Sequence, residues 1–209
     1  CRARDVPEPA RADVRRRTPG RRRHGAGHQL VPGGGATGDF FDLFVLIANP
    51  NAIDAVVTAN YLLDNGTLLS KVHDVPANSR YNINVDTDLP QLANVAVSTT
   101  MTSTQPIIVE RAMWWPGPTS ATWNEAHNSA GAVTTGTRWG LADGDVGGAL
   151  DVETYVLVAN TLPDSGNIKV TLLFEDGSET DRTFTIGGNS RFNVDVRREF
   201  PKALNKRFD

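Results

Sequence analysis

The stretch FVLIANP at residues 44–50 recurs as YVLVANT at residues 155–161, and this recurrence decides the fold. The stretch ANSRYNINV at residues 77–85 likewise recurs as GNSRFNVDV at residues 188–196. Both pairs share an offset of 111 residues, and no gap interrupts the register between them. Matches that keep one offset across strands and turns indicate two copies of one structural unit.

Each copy has the pattern of short strands separated by turn residues. In the first copy Tyr81, Ile83 and Val85 alternate with asparagines, as in a half-buried strand. The sequence DNG at residues 64–66 fits a type I′ hairpin turn, whose central residues have positive backbone angles. Turn signals at roughly 10-residue spacing, without useful helical periodicity, predict an all-β fold of two tandem Ig-like β-sandwich units.

Four segments follow from this pattern. We predict a disordered Arg/Pro-rich tail at 1–29, a first sandwich at 30–118, a Trp-containing inter-unit segment at 119–138 and a second sandwich at 139–209. The equivalents of residues 95–115 would lie at 206–226, so the second unit is expected to be truncated by two strands.

Charge is distributed unevenly along the chain. Residues 1–23 contain nine Arg against three acidic residues, a net +6, which leaves −9 on the rest of a chain with net charge −3. An acidic body argues against a nucleic-acid partner, because phosphate contacts need clustered Lys and Arg. The tail itself is interpreted as a solvated linker, with a basic arm for nucleic acid or another anionic polymer as the alternative.

Several classes of protein are excluded or disfavoured by missing motifs. No run approaches the roughly 18 apolar residues of a membrane helix. The single cysteine, Cys1, excludes an internal disulfide framework, although a lipid-modified Cys1 stays open. The sequence has no nucleophile elbow, HExxH, Walker-type loop, dinucleotide fingerprint or CxxC pair. We therefore expect no catalytic residue, no metal and no cofactor.

All four tryptophans, Trp114, Trp115, Trp123 and Trp139, fall within 26 residues. The favoured interpretation is that they pack one unit against the next, because inter-unit contacts in repeat proteins need buried area. The alternative is an aromatic platform that binds a sugar or another apolar ligand.

One charged cluster has chemical interest. Glu110, Glu125 and His127 could perform glycosidic acid–base chemistry or bind a metal, but their spacing is diagnostic of neither. Glu110 and Arg111 are adjacent on a predicted strand and therefore point to opposite faces. An ion pair or a hydrogen-bonded corner is favoured.

Two short motifs are interpreted as structural. Asp143-Gly144-Asp145 resembles the start of a calcium loop but lacks the further ligands and the closing Glu, so a turn suffices. Asn-Ser-Arg occurs at residues 78–80 and again at 189–191. We expect its Asn and Ser to bond the turn and its Arg to cover the following strand edge.

Several strings occur together in an order that resembles a known family. They are FVLIANPN (44–51), LLDNGT (62–67), VPANSRYNINV (75–85), QPIIVERAMWWP (105–116), WNEAHNSAG (123–131) and RWGLADG (138–144). They resemble the DUF5719-like bacterial β-sandwich repeat domain of unknown function and, more loosely, Ig-like modules of bacterial surface proteins. The resemblance covers residues 30–209 and implies a secreted or cell-envelope protein with several units. It brings no catalytic residues.

The resulting expectation is a non-enzymatic extracellular module that serves as a spacer, adhesion or interaction domain. Its partners would be neighbouring repeat units and a cell-surface polysaccharide or protein. The alternative is a carbohydrate-binding module that accompanies a catalytic domain. An enzyme would require Glu110, Glu125 and His127 to converge in one pocket.

Overall fold

A computed structural model describes residues 28–119, 121–122 and 124–209. Nearly all of its regular structure is antiparallel β-sheet, which confirms the all-β class. The predicted disordered tail lies outside the described residues except for His28 and Gln29, which begin the first strand.

The first unit is an eight-stranded sandwich. Its strands are β1 (His28–Ala36), β2 (Asp42–Asn49), β3 (Ala55–Leu63), β4 (Leu68–Val75), β5 (Ser79–Asn84), β6 (Ala96–Ser103), β7 (Ile108–Trp115) and β8 (Glu125–Ala130). One sheet has the order β1-β6-β3-β4 and the other β5-β2-β7-β8. Alternate residues such as Val45, Tyr61, Val97 and Val109 point inward and form the buried core.

The second unit has six strands in the described residues. They are β9 (Gly144–Val146), β10 (Tyr155–Asn160), β11 (Gly166–Leu173), β12 (Glu179–Ile186), β13 (Ser190–Asp195) and β14 (Lys206–Phe208). β10 pairs with β13, β11 with β12, and β9 with β14. A smaller core includes Val170, Leu172, Val194 and Phe200. Short helices α1 (Val85–Asp88) and α2 (Val196–Glu199) precede 3-10 turns at Pro90–Leu92 and Pro201–Ala203.

The sequence offset reappears in the strand register. Phe44 pairs with Asn84 in the first unit, and Tyr155 pairs with Asp195 in the second, each 111 residues later. The offset is 109 for the strand that opens each unit, because Gly35 pairs with Val97 whereas Gly144 pairs with Phe208. The Ig-like classification of these units stays a prediction.

An asparagine at the end of the first repeated strand explains the ANP and ANT sequences. The side-chain amide of Asn49 donates to the carbonyls of Ile53 and Pro76 at 2.9 and 3.0 Å. Asn160 makes the two equivalent hydrogen bonds at 2.8 and 2.9 Å. The side chain thus replaces ladder bonds that the backbone loses at the turn.

The predicted type I′ hairpin at residues 64–66 is wrong. Leu63 N donates to Thr67 O at 3.0 Å, and Gly66 N donates to Leu63 O at 3.3 Å, so the loop has three residues. Gly66 has a φ of +81°, whereas Asn65 is not left-handed. The Asn65 side chain instead accepts from Thr67 N at 2.9 Å, which stabilises a turn followed by one left-handed glycine.

The segment predicted to link the units contains a strand of the first sandwich. β8 falls within residues 119–138 and pairs along β7 from Glu110↔Ala130 to Trp115↔Glu125. The Gly/Thr/Asn-rich composition concealed this strand, because it carries little of the apolar alternation by which strands are recognised.

Candidate functional site

β1 lies between two buried arginines that come from different units. Its three consecutive glycines, Gly33 to Gly35, carry no side chain that would block an approach to the backbone. Arg111 of β7 donates through Nη1 to the Gly34 carbonyl. Arg191 of β13 donates through Nη1 to the Gly35 carbonyl at 2.6 Å. The contact of Arg191 therefore joins the second unit to the first.

Burial dominates the electrostatics of both guanidinium groups. Desolvation lowers the pKa of Arg111, and it lowers the pKa of Arg191 to about 10, with Asp64 opposing the shift. Arg191 therefore remains charged at neutral pH although only 2% of it is exposed. A buried charge is destabilising unless its hydrogen bonds are made, so the carbonyl contacts are required for this packing.

His127 completes the environment of Arg111. Arg111 Nη2 contacts His127 Nδ1. Because a guanidinium only donates, Nδ1 must accept and the imidazole proton resides on Nε2. His127 is exposed on β8, and its partial desolvation, followed by the charge of Arg111, lowers its pKa. Arg111 and His127 thus form a hydrogen-bonded corner, which is one of the two arrangements favoured for the charged cluster.

The two carboxylates of the predicted charged cluster do not meet. Glu125 lies opposite Trp115 and accepts from its indole Nε1 at 2.8 Å, on the same face as Arg111. Glu110 lies on the other face, because it precedes Arg111 in β7 and side chains alternate. Among the described residues, no group of three His, Cys, Asp or Glu could hold a metal ion.

The tryptophans are dispersed over different surfaces. Trp114 packs edge-on against Phe44 at 5.0 Å between ring centroids, whereas Trp115 points to the opposite face of β7. Trp139 is 63% exposed, and its indole donates to Gly136 O at 3.0 Å. Trp123 lies outside the described residues, and the predicted platform of four rings stays a prediction.

Asp143-Gly144-Asp145 serves as the entry to a strand. Asp143 has a φ of +67°, and Gly144 and Asp145 begin β9. Asp143 N donates to the Asp209 carboxylate at 3.2 Å. A side chain at Gly144 would collide with the Phe208 ring, so this glycine allows β9 and β14 to pack.

Two faces make the contact between units. The arginine face is the outer side of one strand pair in each unit, β2–β5 in the first and β10–β13 in the second. In the second unit it contains Leu157, Arg191 and Asn193. The glycine face is the outer side of the sheet that contains β1, β6 and β3, and in the first unit it contains Gly34 and Leu62. A Cβ on Gly34 would lie 3.5 Å from Leu157 Cβ.

Burial of the glycine face confirms this contact. Leu62 points away from the core of its own unit, since its neighbours Tyr61 and Leu63 point into it. It is nevertheless only 2% exposed, and β13 packs against β3 and β6. Sequence reasoning placed Arg191 at a strand edge and missed its role, although the glycine run of β1 was a usable signal for a close backbone approach.

Comparisons with known proteins assign no family to the chain. No protein-family model matches the chain, and neither does any curated protein. A crystal structure described as Thermotoga maritima 1070 has a TM-score of 0.46 and 12% identity, over 54% of this chain and 97% of that one. In the part of the chain that the structure describes, no helix has the length and apolarity to cross a membrane.

Proposed function

We propose that the chain is a non-enzymatic β-sandwich repeat module of the extracellular space or the cell envelope, which acts as a spacer or interaction domain. The observation that carries the proposal is the contact of Arg191 with Gly35, which docks one unit on the other. The sequence resemblance to the DUF5719-like family supports the location and the repeat character.

The physical argument rests on stiffness. A spacer must hold the domains at its two ends at a defined distance and orientation, and two units joined only by a flexible linker would not do so. Here a buried cation, a buried leucine and the three glycines of β1 take part in one contact. Separating the units would therefore expose apolar area and break the Arg191 hydrogen bond.

Removal of Arg191 tests the proposal. We expect Arg191→Ala to uncouple the units, which small-angle scattering would detect as a larger radius of gyration and calorimetry as two unfolding transitions. Arg198→Ala is the control, because Arg198 is an exposed arginine of the same unit, on α2. An unchanged scattering curve together with a single transition for Arg191→Ala would contradict rigid docking.

A carbohydrate-binding module is the second candidate, and the exposure of Trp139 favours it. An exposed indole can stack on a sugar ring. A glycan array with the intact protein and with Trp139→Ala would show binding that the variant loses while its circular dichroism is unchanged. Absence of binding to any glycan would remove this candidate.

A further inference from the structure

We propose that the arginine face of the first unit, containing Leu46, Arg80 and Asn82, docks on the glycine face of the second unit of another copy of this chain. Copies would then associate head to tail. The proposal deepens the proposed function and rests on its docking geometry, since it repeats between chains the contact already made within one.

The arginine face of the first unit is built like the occupied one. Arg80 donates through Nη2 to Asn82 Oδ1 at 3.2 Å. Arg191 makes the same contact with Asn193, the residue 111 positions after Asn82. Arg191 is buried by the first unit, whereas Arg80 and Asn82 are exposed. The same side chains are thus arranged in the same way, and within residues 28–119, 121–122 and 124–209 nothing buries them.

The corresponding face of the second unit is exposed to solvent and could accept an arginine face. Leu173 is the equivalent of Leu62, yet it is 52% exposed where Leu62 is 2% exposed. Gly144 pairs with Phe208 as Gly35 pairs with Val97, so the carbonyl of Gly144 is the equivalent acceptor for an arginine. The residue equivalent to Gly34 is Asp143, so this face has a carboxylate where the first unit has a glycine. One chain therefore presents the exposed leucine and the carbonyl acceptor together with the arginine face that they would contact.

The sheet that supports this face also has the same order. Leu173 N donates to Asp209 O at 3.0 Å, and Asp209 N donates back to Leu173 O at 3.0 Å. This bonding places β14 between β9 and β11, as β6 lies between β1 and β3.

Charge completes the complementarity. Asp64 acts on Arg191 across the contact within the chain and raises its pKa, opposing desolvation. The residue equivalent to Asp64 in the second unit is Glu175, which is exposed. Arg80 of one copy would therefore meet Glu175 of the next, and opposite charges at an interface set partner choice and register.

The association has a definite symmetry. Two different faces meet, so the interface is heterologous and generates an open chain or a closed ring rather than a two-fold dimer. Within one chain the linker holds the second unit at an effective concentration in the millimolar range. Copies lack that linker, so association should be concentration-dependent and weaker than docking within the chain.

Sedimentation velocity over micromolar to millimolar concentration tests the proposal. We expect species above the 22.6 kDa of a single chain to increase with concentration. Arg80→Glu and Glu175→Arg should each weaken association by on the order of tenfold or more. An equimolar mixture of the two variants should recover association with the two copies alternating. Unlike copies meet through the unsubstituted Arg80 and Glu175 or through the two substituted side chains, and both pairs are opposite in charge, whereas like copies place equal charges opposite each other.

Arg198→Glu is the control, since it makes the same charge change on the exposed surface of α2 and should leave association unchanged. The inference would be overturned if the mass stayed that of a single chain at every concentration. It would also be overturned if both variants associated as strongly as the unsubstituted chain. Neither result would affect docking within the chain, which the Arg191→Ala experiment tests separately.

Discussion

Arg111 carries a positive charge into the interior of the first unit, where a backbone carbonyl and an imidazole accept its hydrogen bonds. Acceptance through Nδ1 requires the neutral form of His127. A proton added to that nitrogen would remove the acceptor and place a second positive charge beside the guanidinium. The corner is therefore sensitive to pH through one identifiable group.

His127 should make the stability of the first unit decrease as the pH falls. Its folded-state pKa lies below the ordinary histidine value, so the unfolded chain takes up the proton first. The stabilisation is present above the unfolded pKa of about 6.5 and is lost as the pH falls through the lower folded pKa. Urea unfolding at pH 7.5 and 5.5 should show a smaller pH dependence for His127→Gln than for the unsubstituted chain. An equal dependence would contradict this role.

Identical residues acquire different roles according to what packs on them. Arg80 and Arg191 lie in the same motif and make the same bond to an asparagine two residues later. Only Arg191 is covered by the other unit, and desolvation there lowers its pKa. The residue type supplies the donor, and the environment decides whether it becomes an interface group.

Among the elements, the β3–β4 hairpin depends on one left-handed residue. Gly66 has a φ of +81°, and an added Cβ would meet only Gly188 O at 3.7 Å. We expect Gly66→Ala to lower the free energy of unfolding by about 1 kcal/mol, from backbone strain rather than from a collision. Gly166→Ala is the control for denaturant unfolding, because no atom lies within 4 Å of its Cβ and its φ is not positive. Equal effects would argue against the observed loop geometry.

Strand alternation was predictable where apolar residues mark it. Tyr81 and Ile83 follow the predicted period and lie in β5 with Ile83 buried. Glu110 and Arg111 lie on opposite faces, as expected of neighbours in one strand. β8 escaped because its residues are mostly exposed and carry no apolar face; its place is determined by pairing with β7.

At the scale of the whole molecule, the two units differ in how much they bury. The first has two four-stranded sheets around a continuous core, whereas the second has three strand pairs around a smaller one. An ion pair at equivalent positions is kept in both, Lys71 with Asp88 at 2.9 Å and Arg182 with Glu199 at 2.5 Å. The repeat therefore preserves local contacts while the size of the core changes.

Local stability should follow that difference. We expect amide hydrogen exchange to be faster in β11 and β12 than in β3 and β4, because opening the smaller core exposes less apolar surface. Mass spectrometry of peptides from the two equivalent hairpins compares them within one sample. Slower exchange in the second unit would contradict the expectation.

The sequence by itself determined the repeat, the all-β class and most strand positions, since the offset of 111 and apolar alternation are local patterns. It also predicted the turns that Asn49 and Asn160 close, but it did not predict the type of loop at Gly66. Only the tertiary structure decided that β8 joins the first sandwich and that Arg191 reaches Gly35. These contacts join residues far apart in the chain, and their energies depend on what excludes water around them, which no local pattern records.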